Sequence, residues 1–164
     1  MSRRLKQLKA LSLEEWRLLL SAIVLLPLVA LSLRMRGFKQ TQNSLRRFVP
    51  KELNLTESSE ADLEKARGIA RMVGVAAGHG AYRANCLKQS LVLWMLLARR
   101  GMKSEIVFGV QKGAVEDFNA HAWVECDGVN LSDPVEVQES FTSFTNNALS
   151  TEQHSEELDV RSKN

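Results

Sequence analysis

The most uneven stretch of the chain lies near its start. Leu18 to Leu33 is apolar on every side of a helical projection, interrupted only by Ser21, Pro27 and Ser32. A helix without a polar face must be covered by protein or lipid. Ser12-Leu13-Glu14-Glu15 opens it with a capping box, in which the serine hydroxyl and the glutamate three residues on satisfy free N–H groups. Sixteen residues rise roughly 24 Å, short of the hydrocarbon core of a bilayer. Pro27 removes one backbone bond and predicts a kink. Buried or partner-facing packing is the favoured reading, with membrane-surface attachment second. A secretory signal is third: Ala30-Leu31-Ser32 resembles a cleavage site, but Glu14 and Glu15 precede the segment and Arg34, Arg36 and Lys39 follow it.

Residues 40–57 are expected to form a linker with a short basic helix around Ser44–Phe48, stopped by Pro50. Ser59-x-x-Asp62 then opens a second helix, with Leu63, Ile69, Ala70, Val73 and Val75 as its apolar positions, ending near Gly78-His79-Gly80. A third helix is predicted from Asn85 to Arg100, capped by Gly101, with Leu87, Leu91, Trp94 and Ala98 facing the core. The texture changes after Gly101. Ile106–Val110, Ala120–Glu125 and Val129–Asp133 read as strands. Helices followed by antiparallel strands indicate an α+β fold: helices packed on a small antiparallel sheet, preceded by an N-terminal hydrophobic helix. The expected divisions are a basic region over 1–50, a catalytic domain over 51–145 and a polar tail over 146–164.

Composition narrows the classes. At 164 residues, 45% hydrophobic and 25% charged, the chain has the profile of one ordinary globular domain. Aromatics at 6% argue against a stacking platform for single-stranded nucleic acid, and no nucleic-acid-binding motif is visible. Two cysteines without a C-x-x-C pair point to a reducing compartment. The net charge of +3 hides a division. Residues 1–51 carry eleven Lys/Arg against two Glu, a balance of +9, and residues 52–164 carry eleven against seventeen Asp/Glu, a balance of −6. A basic arm with a greasy interior suggests a membrane surface or a protein groove rather than DNA.

Three residues carry candidate chemistry. Cys86 falls where the third helix begins, and helix-start N–H groups favour a thiolate over a thiol. The competing reading is a small core hydrophobe. His121 lies in Ala120-His121-Ala122-Trp123-Val124-Glu125, where alternation puts His121, Trp123 and Glu125 on one face. The competing reading is a structural, hydrogen-bonded histidine. The turn after this strand decides what faces the imidazole. A two-residue Asp127-Gly128 loop pairs Cys126 with Val129 and sets Asp133 opposite Ala122. A three-residue loop, Cys126 to Gly128, pairs Glu125 with Val129 and sets Asp133 opposite His121. The three-residue loop is the expectation, although Asp133 before Pro134 also suits a plain strand end.

Cys86, His121 and Asp133 then form a nucleophile, a base and an orienting acid for attack on a carbonyl carbon. The backbone N–H of Cys86, with Asn85 as a second donor, would stabilise the oxyanion. Trp123 either shields the histidine–aspartate bond or packs in the core. A rival zinc set, His79, Cys86, His121 and Cys126, has spacings that fit no ordinary structural site, so no metal is expected.

Asn85-Cys86-Leu87-Lys88-Gln89-Ser90-Leu91, Arg99-Arg100-Gly101-Met102, Phe108-Gly109-Val110 and Ala120-His121-Ala122-Trp123-Val124-Glu125 resemble the transglutaminase-like leader peptidases of lasso-peptide biosynthesis. Leu13-Glu14-Glu15 leading into Leu-rich sequence, then Arg34 to Phe38, resembles that family too; the likeness covers roughly residues 11–145. The resemblance implies a transglutaminase-like or papain-like cysteine peptidase core, with Cys86, His121 and Asp133 as its nucleophile, histidine and acid. It implies removal of the leader from a ribosomally made precursor peptide, and a companion cyclase that closes a macrolactam. Leader recognition is expected from a separate protein, because the chain is too short to hold a recognition domain as well. Some relatives depend on ATP, yet no phosphate-cradling glycine loop is visible, and no cofactor is expected. The expected location is the cytoplasm, peripheral at the inner membrane. Two alternatives stand beside peptide cleavage: another transglutaminase-like amidase or acyltransferase, and a non-catalytic, membrane-associated maturation scaffold.

Overall fold

The Ser12 capping box forms as the spacing predicts. The Glu15 N–H donates to the Ser12 hydroxyl at 3.2 Å, and the Ser12 N–H donates to the Glu15 carboxylate at 2.9 Å. In this computed structural model, which describes residues 11–47, 59–79, 85–111, 120–132 and 141–145, the box starts α1 (Leu13–Arg46). The helix runs through Pro27 with helical backbone angles, and the break comes instead at Gly37 (φ 74°, ψ 179°). That conformation suits glycine because a Cβ would crowd the backbone. In a straight helix Ser32 and Thr41 would stand roughly 13.5 Å apart along the axis, yet their hydroxyls meet at 2.9 Å. The chain therefore doubles back at Gly37. Residues 40–46, expected as the start of a linker, are helical, and Thr41, Gln42 and Leu45 are buried.

α2 (Glu60–His79) starts from a second capping box, with Asp62 in the reciprocal role. It ends where the sequence predicted. The Arg71 side chain reaches across to Glu15 at 2.8 Å, pinning the start of α1 to the outer side of α2. α3 (Cys86–Ala98) has Asn85 as its N-cap, whose side-chain oxygen accepts from the Lys88 N–H. At the other end Met102 N–H bonds Leu97 C=O and Gly101 N–H bonds Ala98 C=O, with Gly101 at φ 75°. This is the left-handed glycine cap the sequence indicated. Burial exceeds the expected stripe: every residue from Ser90 to Ala98 is buried. The reason is placement, since α1 and α2 cover one side of α3 and the sheet covers the other.

The sheet is antiparallel in the order β3-β2-β1-β4, with β1 Glu105–Gln111, β2 Ala120–Cys126, β3 Val129–Asn130 and β4 Phe141–Thr145. Ile106, Ala122 and Val124 turn into one core with Leu26, Ile69, Val73 and Leu97. The first helix is thus a structural part of the same core as the sheet. β4 was not anticipated, because Phe-Thr-Ser-Phe-Thr carries weak apolar content and becomes a strand by pairing with β1.

The β2–β3 turn corrects the expected register. Cys126 pairs with Val129 and Glu125 with Asn130, so the loop has two residues, not three. Asp127 and Gly128 both have positive φ, 47° and 77°. An Asp-Gly pair with that twist is the favoured connection for a right-twisted hairpin. The expected pairing of Glu125 with Val129, and with it the derivation of Asp133 opposite His121, does not hold. The ladder also stops early. Leu131 N–H still donates to Val124 C=O at 3.0 Å, but the Val124 N–H goes to the Ser132 hydroxyl at 3.4 Å. The Asn130 side chain accepts from the Ser132 N–H at 2.8 Å, turning the chain out of the strand. Strand counting therefore does not reach Asp133, which lies outside the described residues, as do Pro50 and the tail from 146.

Candidate active site

Hydrogen bonding at the start of α3 fixes where Cys86 sits. The first helical bond is Gln89 N–H to Asn85 C=O, and the Lys88 N–H is taken by the Asn85 side chain. The N–H groups of Cys86 and Leu87 therefore fall before the helix's own ladder begins. Cys86 is the first helical residue and is half-buried. Asn85, expected as an oxyanion donor, is placed as the cap, with its side-chain oxygen committed to Lys88.

The strand edge is prepared for this helix. Val124 and Ala122 share a parity along β2, and their carbonyls point toward β3. Because the β3 ladder has ended, the Ala122 carbonyl needs another donor, and the buried Ser90 hydroxyl supplies it at 2.9 Å. Ser90 lies one helical turn after Cys86 on the same face. The Ser90–Ala122 bond thus sets the register of the Cys86 face against β2. Sequence reasoning missed Ser90; its signal was the i, i+4 spacing from Cys86.

Between these elements lies a cavity of about 330 Å³. Cys86, Gln89 and Ser90 of α3 line one side, and His121 and Ala122 of β2, with Ser132, line the other. Ala70 and Val73 of α2 close it with apolar surface. The structure thus brings Cys86 and His121 to one cavity.

The imidazole is held by aromatic neighbours. The His121 ring stacks on Trp123 with centroids 5.9 Å apart and meets Phe141 at 5.4 Å. Trp123 is buried, and its indole N–H donates to the Glu125 carboxylate at 2.7 Å. The shared face of His121, Trp123 and Glu125 is the one alternation predicted, while Ala122 and Val124 face the helices. Gly109, which pairs with His121, makes room for this cluster: a Cβ there would stand 2.8 Å from two atoms of the Trp123 ring and 3.0 Å from Phe141 Cβ. Phe141 was missed because it belongs to β4. Cys126 is buried on the opposite strand face from His121. Among the described residues no three His, Cys, Asp or Glu side chains gather as metal ligands.

A family model described as the transglutaminase-like superfamily matches residues 25–146, about three quarters of the chain. That span includes most of α1 and every element of the sheet. No curated protein and no solved structure matches.

Proposed function

The chain belongs to the transglutaminase-like superfamily, and on that premise we propose that it is a cysteine peptidase removing the leader from a lasso-peptide precursor. The observation that carries the reading is the single cavity lined by Cys86 at a helix start and His121 on the facing strand. Peptide as substrate rests on the resemblance of residues 85–91 and 120–125 to the leader peptidases.

The Cys86 thiol passes its proton to His121, and the resulting thiolate attacks the carbonyl carbon of the scissile amide, whose oxygen becomes an oxyanion beside the Cys86 N–H. The Asn85 side-chain NH₂ is a second donor in this scheme, since only its oxygen serves as the cap. His121 gives its proton to the leaving nitrogen, freeing the amino terminus of the mature peptide and leaving the leader as a thioester. Water then attacks the thioester carbon while His121 takes its proton, and the leader departs as a carboxylate. Asp133 orients the imidazole in this scheme, by resemblance. Stacking on Trp123 limits the ring's freedom to turn. A separate recognition protein presents the precursor, and a cyclase consumes the freed amine; the setting is the reducing cytoplasm at the inner membrane.

Acyl transfer to an amine is the second reading, favoured by the superfamily itself, because the same thioester can be resolved by an amine. One experiment separates the readings. Precursor, recognition protein and enzyme are incubated with and without ATP, and with and without hydroxylamine, and products are read by mass spectrometry. Leader release that disappears in Cys86→Ala is expected. Release that persists in Cys86→Ala would falsify the nucleophile assignment. Products formed only with an added amine would transfer the assignment to the acyltransferase. Alkylation supplies a check on folded protein, since Cys126 is buried and modification reports on Cys86. A reactive thiol with no turnover of any substrate would favour the scaffold.

A further inference from the structure

α1 has two apolar faces, and the fold uses one. Leu19, Ala22, Leu26 and Val29 are buried against α2 and α3. On the opposite side, Trp16, Leu20, Val24, Leu28, Leu31 and Met35 recur every three or four residues and are 37% to 74% exposed. Six large apolar side chains in one row exceed the scattered exposure normal for a surface. At 3.6 residues per turn, Arg17 and Arg34 fall on this same outer side, one at each end, and both are exposed. Arg36 and Lys39 are exposed just beyond it. Glu14 is exposed at the edge of this row, about 60° around the helix from Arg17, while Glu15 turns the other way to Arg71.

We infer that this outer face lies flat on an anionic lipid bilayer. Leu20 to Leu31 would sink below the headgroups while Arg17 and Arg34 reach up to the phosphates. Charge chooses the occupant. A second copy packed antiparallel through this face would set Arg17 against Arg34, and a parallel one would set each arginine against itself; both bury like charges. A bilayer of anionic headgroups offers a counter-charge at both ends. α1 is long and apolar enough to cross a membrane, but crossing would pull Leu19, Ala22, Leu26 and Val29 out of the shared core. Lying in the interface satisfies both faces at once. The cavity lined by Cys86 and His121 contains no α1 residue, so docking leaves it open. The inference is independent of the peptidase reading.

Flotation of the full-length protein with vesicles tests it. Binding to vesicles containing about one third phosphatidylglycerol is expected to exceed binding to phosphatidylcholine alone. Each of Arg17→Gln and Arg34→Gln is expected to weaken it about five-fold. Val24→Asp/Leu28→Asp should lower partitioning at least about ten-fold, with an unchanged melting curve, because both positions are exposed. Trp16 provides an optical readout, since Trp94 and Trp123 are buried: its emission should shift to the blue on anionic vesicles. Three results would overturn the inference. They are no preference for anionic vesicles, resistance to alkaline carbonate extraction (a spanning helix), and a dimer in solution that the Val24/Leu28 variant dissociates without any vesicle binding by the native protein.

Discussion

Gly109→Ala is the sharpest test of how the fold holds His121. The new Cβ would stand 2.8 Å from Trp123 Cη2 and Cζ3 and 3.0 Å from Phe141 Cβ. Ordinary carbon contacts lie at about 3.5–4.0 Å, so the indole must retreat by roughly 0.7 Å or more. Its hydrogen bond to Glu125 at 2.7 Å and its stack on His121 resist that retreat. Overpacking of this kind costs about 1–3 kcal/mol. At about 2–4 °C per kcal/mol for a chain of this size, a fall in Tm of about 4–8 °C is expected near the middle of that range. Thermal unfolding followed by circular dichroism reads it directly. Gly68→Ala, in the middle of α2 with open space around its Cβ, is the control and should gain about 0.5–1 kcal/mol. Trp123→Phe removes the clashing atoms and should recover part of the loss in the double variant, a coupling that independent sites would lack. A Gly109→Ala protein as stable as the native one would show that Trp123 does not press on β1, and the account of how His121 is held would fail with it.

Further outcomes follow from single contacts. Ser90→Ala leaves the Ala122 carbonyl without its hydroxyl donor and should cost about 1–3 kcal/mol in denaturant unfolding; a neutral result would mean that the bond does not set the α3–β2 register. Gly101→Ala places a Cβ at φ 75° and should destabilise by about 1 kcal/mol, seen as a lower denaturant midpoint with an unchanged m-value. The acid limb of stability should reflect Glu15 and Asp62. Ser12 backbone and hydroxyl bonding, then Arg71, hold the Glu15 carboxyl below its ordinary value of 4.5, and the Ser59 hydroxyl, then Lys65, holds Asp62 below 3.8. Folded-state values lower than unfolded ones mean stabilisation that is complete above the unfolded values and lost as pH falls through the folded ones. Tm should therefore drop below about pH 4.5, and Glu15→Gln should flatten that drop; an identical acid limb in the variant would refute the linkage.

The local grammar of the chain was legible because its causes are local. Ser12 with Glu15, Ser59 with Asp62, Asn85 before Cys86 and Gly101 after α3 satisfy backbone groups within a few residues. Alternation in Ala120–Cys126 likewise fixed which residues share a face with His121, since successive strand side chains must point to opposite sides. The turn was misread although its signal was present, because Asp127-Gly128 is itself the pair that a two-residue hairpin prefers.

Other features depended on partners far away in sequence. Phe141–Thr145 is a strand because β1 offers an edge, and the sharp reversal falls at Gly37 rather than Pro27 because Ser32 and Thr41 can then meet. Ser90 became part of the site only when the β3 ladder ended and left the Ala122 carbonyl in need of a donor. The sequence by itself determined where the three helices start, where the two central strands lie, and which cysteine and histidine deserve notice. Tertiary structure decided that Cys86 and His121 share one cavity, and that one face of α1 is spent on the core while the other stays exposed. Capping and alternation act over one turn or one pleat, whereas a cavity and a free face exist only after distant segments have packed.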